Sequence, residues 1–354
     1  MSVECASCHV YVCRVGRVDA SPEDCPMRGP FPAFEDLYDT DESRRLLYHS
    51  AWVEAAGYGR WTRLREVAEL AHRMEYHRLG VAACPDMSME ADLAARALRR
   101  QGLEAVVAAP FDECDPVAQA ALLAEERTHF NVIAGMCVGH DSLFIRHSSV
   151  PVTSLVVRDL RLAHNPAAAL YTRDGYLKKA LYDVRKPPTS DGFEGWSDEL
   201  IANTARAVRE AAVDRETPPC RVEEVMDFAR RAGVSHLGIV FCVGFRREAR
   251  DLEAILGTNG FRVSSACCKT GSVNKAVIGI KDEEQVTPGR PEMTCNPRAQ
   301  AALLEDDGVE LMLLLGQCAG HDSATMASLS VPAICVVAKD RVLAHNTVAA
   351  LYRS

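Results

Sequence analysis

The octapeptide Gly135-Met136-Cys137-Val138-Gly139-His140-Asp141-Ser142 returns as Gly316-Gln317-Cys318-Ala319-Gly320-His321-Asp322-Ser323, identical at six of eight positions. It marks a tandem repeat, and a duplicated chain folds as two copies of one unit. Residues 42–108 align with 200–266 at an offset of 158, which puts Arg63 on Arg221, Glu66 on Glu224 and Cys84 on Cys242. Residues 114–171 align with 295–352 at an offset of 181, so Cys114 meets Cys295 and Ala163-His164-Asn165 meets Ala344-His345-Asn346. The difference, 181 − 158 = 23, is an insertion in the second copy between Cys268 and Cys295.

Within each copy, short apolar runs alternate with amphipathic stretches. In the first, strands are expected at Leu79 to Cys84, Glu104 to Ala109, Asn131 to Cys137 and Val152 to Arg158. Helices are expected at Met87 to Gln101, Pro116 to Glu126 and Asp141 to His147. A terminal helix from Asn165 to Tyr171, with Asn165 as its N-cap, follows the turn at Asp159-Leu160-Arg161. This alternation builds a parallel sheet with helices on both faces. The expected fold class is α/β: two tandem Rossmann-like parallel-sheet repeats, packed as a pseudo-dimer, behind a Cys-rich irregular N-terminal segment. The expected boundaries are 1–40 for that segment, 41–178 for the first repeat, 179–197 for a linker and 198–354 for the second repeat.

The chain has 354 residues, 14 of them cysteine. A formal net charge of −9 speaks against nucleic acid or an anionic membrane as partner. No apolar run approaches the roughly 20 residues that cross a bilayer, and no basic-then-apolar signal opens the chain, so a cytoplasmic location is expected. In a reducing compartment these cysteines are metal ligands or reactive thiols rather than disulfides. Cys5, Cys8, Cys13 and Cys25 lie in a segment with no helical or strand period, where a metal would supply the missing stabilisation. The Cys5-x-x-Cys8 knuckle and the closing Cys25-Pro26 suit an iron–sulfur ligand set, and zinc would accept the same sulfurs.

The other cysteines follow the expected strands. Cys84, Cys114 and Cys137 fall at or just past carboxyl ends, and Cys242, Cys295 and Cys318 match them one for one. That edge of a parallel sheet is where ligands bind, so thiols far apart in sequence can converge there. The second copy adds Cys267-Cys268-Lys269 where the first has Ala109, Pro110 and Phe111. The second set is then Cys242, Cys267 or Cys268, Cys295 and Cys318. Adjacent residues at a strand end face opposite ways, so one of the doublet faces the pocket, and Cys268 is taken as that one. In the first copy, Cys84, Cys114 and Cys137 form a three-thiolate remnant. Against all this stands the ordinary fate of a free cysteine, as a small core residue. Cys220 and Cys335, which face Thr62 and Ser154 in the other copy, are read that way.

His140-Asp141 and His321-Asp322 read as ligand and orienter or as an acid/base pair, although an aspartate here also begins a helix as its N-cap. Lys269 and His321 would tune a cluster or face a substrate. Taken together, Cys-x-x-Cys…Cys-Pro, Leu-Gly-(x)3-Cys, Cys-Cys-Lys, Cys-Asn-Pro-x-Ala-Gln, Cys-x-Gly-His-Asp-Ser and Ala-His-Asn resemble an uncharacterised prokaryotic "metal-binding protein" family, domain of unknown function 1847. Its members look like one repeat behind a cysteine-rich segment. This chain departs by its second repeat, and its first repeat lacks Cys-Cys-Lys and the insertion. The resemblance implies metal binding and no particular reaction.

Three functional readings follow. One is an iron–sulfur protein with redox or cluster-based chemistry, serving a small-molecule substrate or an electron-transfer partner. The second is a zinc-stabilised binding or scaffold protein. The third takes Gly-x-Cys-x-Gly as a nucleophile elbow of a hydrolase or transferase.

Overall fold

The computed structural model describes residues 3–29, 32–108, 114–182, 193–213 and 215–352. The expected strand end at Ala109, the Pro110 and Phe111 counterparts of the cysteine doublet, and the linker core at 183–192 lie outside the described residues.

The first repeat carries β1 (Arg78–Ala82), β2 (Glu104–Val107), β3 (Phe130–Ala134) and β4 (Val152–Val156) in the order β2-β1-β3-β4. The second carries β5 (His236–Phe241), β6 (Arg262–Cys267), β7 (Leu311–Leu315) and β8 (Ala333–Val337) in the order β6-β5-β7-β8. Every pairing is parallel. These are two separate sheets of one topology, as a duplication of an α/β unit requires. β3, β4, β5, β7 and β8 are buried along their whole length, which explains continuous apolar runs such as Leu311–Leu315. The principal helices are α1 (Asp41–Gly57), α2 (Arg63–Met74), α3 (Ser88–Arg100), α4 (Pro116–Glu125) and α5 (His140–His147) in the first half. The second half has α6 (Asp198–Val213), α7 (Arg221–Arg231), α8 (Arg246–Thr258), α9 (Pro297–Asp306) and α10 (Ala319–Met326).

Strands β1 and β3 end sooner than their apolar runs suggest, so Cys84 and Cys137 stand in the loops beyond them. Register slips at Ile133/Ala134 and at the equivalent Leu314/Leu315, and such slips re-aim the residues that follow. At the end of β7, Gly316 adopts φ +65°, and a Cβ there would lie 2.3 Å from the Phe245 ring. Only glycine lets the chain turn beneath that ring and deliver Cys318.

The two repeats interlock through equivalent residues. Helix α10 packs on β4 and on α1 and α2, while α5 packs on β8 and α6. Arg63, fully buried, pairs with Asp322 of the other repeat and donates to the carbonyls of Ser154 (3.1 Å) and Gln317 (2.7 Å). Its counterpart Arg221 pairs with Asp141 and donates to the carbonyls of Cys335 (3.2 Å) and Met136 (2.9 Å). The amide of Arg63 reaches Asp340 (2.8 Å) and that of Arg221 reaches Asp159 (2.9 Å). Each helix N-terminus is thus met by an aspartate from the opposite repeat, where the exposed amides favour a negative charge. Crossed contacts of this kind define a pseudo-two-fold frame.

Asn346 stands at the N-cap position of the last turn but makes no side-chain capping bond, the matching helix Ala167–Tyr171 starts after Pro166 and not Asn165, and the Oδ1 atoms of both asparagines lack a partner. The histidines before them shape the turn instead: the Nδ1 atoms of His164 and His345 accept from the amides of Asp159 (3.3 Å) and Asp340 (3.2 Å). Cys220 and Cys335 are buried, Cys220 as the N-cap of α7. Among the described residues, no helix is long and apolar enough to cross a membrane.

Candidate metal centre

In the first repeat, thiols from separate βα connections meet. Cys84 follows β1, and its amide is tied to the Gly135 carbonyl (2.9 Å), which joins the tips of β1 and β3. Cys114 precedes α4, whose N-cap Asp115 accepts from Val117 (3.0 Å) and Ala118 (2.9 Å). Gln119 on α4 clamps both the amide and the carbonyl of Ala83 at 3.1 Å. The Sγ of Cys84 lies 3.0 Å from that of Cys114 and 3.1 Å from that of Cys137. His140, at the start of α5, brings its Nδ1 to 3.3 Å from Cys137 and 3.8 Å from Cys84. The donor atoms of Cys84, Cys137 and His140 all lie within 4.8 Å of one another, a group that could hold a metal ion.

A tetrahedral ion with bonds of about 2.3 Å to sulfur and about 2.0 Å to nitrogen sets sulfurs roughly 3.8 Å apart and sulfur and nitrogen roughly 3.5 Å apart. The S···N distances fit, and the Cys84 sulfur stands well inside that spacing from those of Cys114 and Cys137, at 3.0 and 3.1 Å. The donor chemistry, three thiols and one imidazole, suits a single ion. Hydrogen bonds from Cys114 and Cys84, helped by His140, hold the Cys137 thiol well below its ordinary range, while burial holds Cys84 well above. Beside them Arg158 is bound to Asp86 (2.6 Å) and Glu224 (3.3 Å). Burial raises the Glu224 carboxyl to about 7 against the opposing guanidinium groups of Arg158 and Arg221.

The second repeat repeats the plan with different surroundings. Cys242 follows β5 and Cys318 caps α10. The backbone at Cys268 is fixed by Phe241 (2.9 Å) and Asn296 (2.8 Å), which brings Cys295 next to it. The Cys268 thiol touches those of Cys242 and Cys295 and accepts from the Val243 amide (3.2 Å). Among the described residues, no three donors of this set come within 4.8 Å of one another. Cations fill the wider space. Lys339 Nζ lies 2.8 Å from Cys242 Sγ and 3.6 Å from Cys318 Sγ, and Lys269 Nζ lies 3.5 Å from Cys295 Sγ. An Arg341 nitrogen lies 3.6 Å from Cys318 Sγ and 3.2 Å from Glu54. Contact with Cys268, aided by Lys339, lowers the Cys242 thiol to about 5 despite its burial. His321 is buried with its ring facing the sulfurs of Cys295 and Cys318. Burial disfavours its charged form, yet those sulfurs hold its pKa well above the usual value.

Asp141 and Asp322 do not enter either pocket. Both are buried and paired with Arg221 and Arg63, which ties the two repeats together. The glutamates, Lys339 and Arg341 carried no motif. Their only signal was the alignment, which sets Lys339 on Arg158 and Glu66 on Glu224.

At the N-terminus, Cys5 lies next to Cys267, Cys25 and Cys8, and the Cys13 thiol touches that of Cys267. All four N-terminal cysteines are half-buried. The adjacent cysteines at the end of β6 touch each other through their thiols and reach different neighbours beyond that, Cys268 those of the strand-tip pocket and Cys267 the Cys13 thiol of the N-terminal segment.

The fold and these clusters define a tandem α/β repeat protein with a Cys/His group of metal-ligand type. The family described as "Protein of unknown function (DUF1847)" matches residues 31–111, 108–155 and 186–336, and the chain belongs to it. It is 33% identical over 199 residues to the uncharacterized protein MJ0455 of Methanocaldococcus jannaschii, an alignment that covers 51% of this chain and 98% of that protein. That relative has the length of about half of this chain. Among solved structures, an ornithine carbamoyltransferase from Burkholderia thailandensis is similar at 11% identity and TM-score 0.25, covering 88% of this chain and 95% of that one. A glutamate racemase from Bacillus anthracis is similar at 12% identity and TM-score 0.21, covering 78% and 80%. At such TM-scores neither bears on fold or function.

Proposed function

We propose that the protein is a metalloprotein in which Cys242, Cys268, Cys295 and Cys318 hold an iron–sulfur cluster and Cys84, Cys114, Cys137 and His140 hold a single ion such as zinc. The observation that carries this reading is the convergence of matched thiols from separate βα connections, with three donors within 4.8 Å of one another in the first repeat and, among the described residues, no such trio in the second. A cluster sits between its thiolates and separates them more than one ion does, which favours iron–sulfur in the second repeat. The short S···S distances favour zinc in the first. Such a cluster would supply electron transfer or a Lewis-acidic iron.

The protein's own groups shape what can approach. Lys269, Lys339, Arg341 and His321 offset the charge of four buried thiolates, which would otherwise be too costly to bury. They also favour a small anionic substrate or an acidic electron-transfer partner over a cationic one. The nucleophile elbow is less well supported: Cys318 has ordinary extended backbone (φ −68°, ψ 159°), whereas an elbow strains the residue that bears the nucleophile.

The test is iron, sulfide and zinc content per chain after anaerobic purification of wild type, Cys318→Ser and Cys137→Ser, with Cys25→Ser as reference. Cys318→Ser should lose iron and sulfide, and Cys137→Ser should lose one zinc. Unchanged metal content in both would make these cysteines core residues and end the reading.

A further inference from the structure

The N-terminal segment reaches the second repeat as an added strand. Cys5 N–H donates to the Ser265 carbonyl (2.9 Å), Ser265 N–H to the Val3 carbonyl (2.6 Å), and Ala6 N–H to Ser265 Oγ (2.9 Å). This parallel bridge on the edge strand β6 sets Cys5 beside the end of that strand, where Cys267 stands. The far part of the segment is held by the insertion. Ser272 Oγ donates to the Cys13 carbonyl (2.8 Å), and the Gly271 amide meets Met27 Sδ (2.8 Å). These attachments set Cys5 beside Cys267 and bring the Cys13 thiol into contact with it, with Cys25 near both Cys5 and Cys13, and Cys267 is itself almost fully buried. Cys267 belongs to the apolar core of the second repeat, yet its thiol also meets that of Cys13 from a segment that builds no core of its own.

We infer that Cys267 is a ligand of the N-terminal centre, joining Cys5, Cys13 and Cys25, so that the metal bonds the cysteine-rich segment to the second sheet. Cys267 and Cys268 then serve two centres joined by one peptide bond, and Cys8 lies outside the first set. The inference rests on the reading that the N-terminal segment binds metal, and it is independent of what the strand-tip pockets hold.

The experiment measures metal per full-length chain in Cys267→Ser, Cys268→Ser, Cys25→Ser and Cys8→Ser. Cys267→Ser should lose the same metal, in the same amount, as Cys25→Ser and retain what Cys268→Ser loses, while Cys8→Ser keeps it. Limited proteolysis should show residues 1–30 cleaved at least tenfold faster in Cys267→Ser than in wild type. Retention of the N-terminal metal by Cys267→Ser, with Cys25→Ser losing it, overturns the inference and leaves the metal reading intact. No loss in Cys25→Ser overturns both. As a check free of misfolding, wild-type protein is titrated with chelator and alkylated, and Cys267 should become reactive in the same step as Cys5, Cys13 and Cys25. If Cys267 reacts in a different step, the inference fails.

Discussion

The two strand-tip pockets stand on the same frame and differ in what surrounds the sulfurs. In the first, the Cys84 sulfur sits about 3 Å from those of Cys114 and Cys137, with an imidazole against Cys137. In the second, a fourth thiol has been added, and two lysines and an arginine approach the sulfurs. The frame itself is shared: Gln119 and its match Gln300 both bond strand-tip backbone, and each repeat lends a buried arginine to the other. The difference comes from few changes, namely the Cys268-Lys269 pair with its insertion, lysine for Arg158 at Lys339, and arginine for Leu160 at Arg341. A duplicated scaffold can thus keep its ligand positions and change the site by altering nearby charge.

The largest effect should come from breaking the frame. Arg63→Ala and Arg221→Ala each leave a buried aspartate without its partner, a loss of about 3–5 kcal/mol. Urea unfolding should show comparable drops in midpoint for the two. If one variant is near neutral, the frame is not shared in the way the crossed contacts indicate.

The comparison itself is tested at the histidines. His140→Ala removes a donor from the compact pocket, so zinc affinity there should fall by more than the roughly 10–100-fold that an outer partner is worth. His321→Ala removes a partner of the Cys295 and Cys318 sulfurs and should lower metal affinity in the wide pocket by no more than the roughly 10–100-fold of an outer partner. Competitive chelator titration measures both. Equal losses would mean that the two pockets bind in one manner.

Much of this frame was legible in the sequence, because periodicity and self-alignment depend on neighbouring residues and on repetition. Placing the cysteines past strand ends needed only the expected α/β order, and a doublet at a strand end had to face two ways. What stayed hidden depends on how the repeats pack. Arg63 and Arg221 align with each other, yet nothing local says that each pairs with an aspartate across the interface. Glu54, Lys339 and Arg341 come to one point from an N-terminal helix and a C-terminal turn, a convergence with no periodic trace. Asn165 and Asn346 misled because asparagine favours helix starts in general, whereas here a histidine ring closes the turn first.

A smaller effect separates the cations. Lys339 touches sulfur directly, while Arg158 is held by Asp86 and Glu224. Lys339→Met should therefore weaken metal retention in the second pocket by about tenfold, and Arg158→Met should change retention in the first by less. The reverse order would place the tuning charge in the compact pocket.

The smallest effect concerns a connection whose sequence differs between the copies. Gly57-Tyr58-Gly59-Arg60-Trp61 aligns with Arg215-Glu216-Thr217-Pro218-Pro219, which has no aromatic residue, and the Tyr58 ring lies 4.4 Å from the Arg341 guanidinium. Arg341 in turn bonds Glu54 and Glu66 and approaches Cys318, so the loop of the first repeat steadies a charge at the second repeat's pocket. Tyr58 is half exposed, and a cation–π contact at such a site is worth about 0.5–1 kcal/mol. Tyr58→Ala should cost that much in global stability, while Tyr58→Phe, which keeps the ring, should cost nothing measurable. Loosening Arg341 should also let small chelators reach the second pocket sooner, so its metal should be removed a few-fold faster in Tyr58→Ala, with the first pocket unchanged. Equal acceleration at both pockets would show the loop acting on the whole fold and not on Arg341.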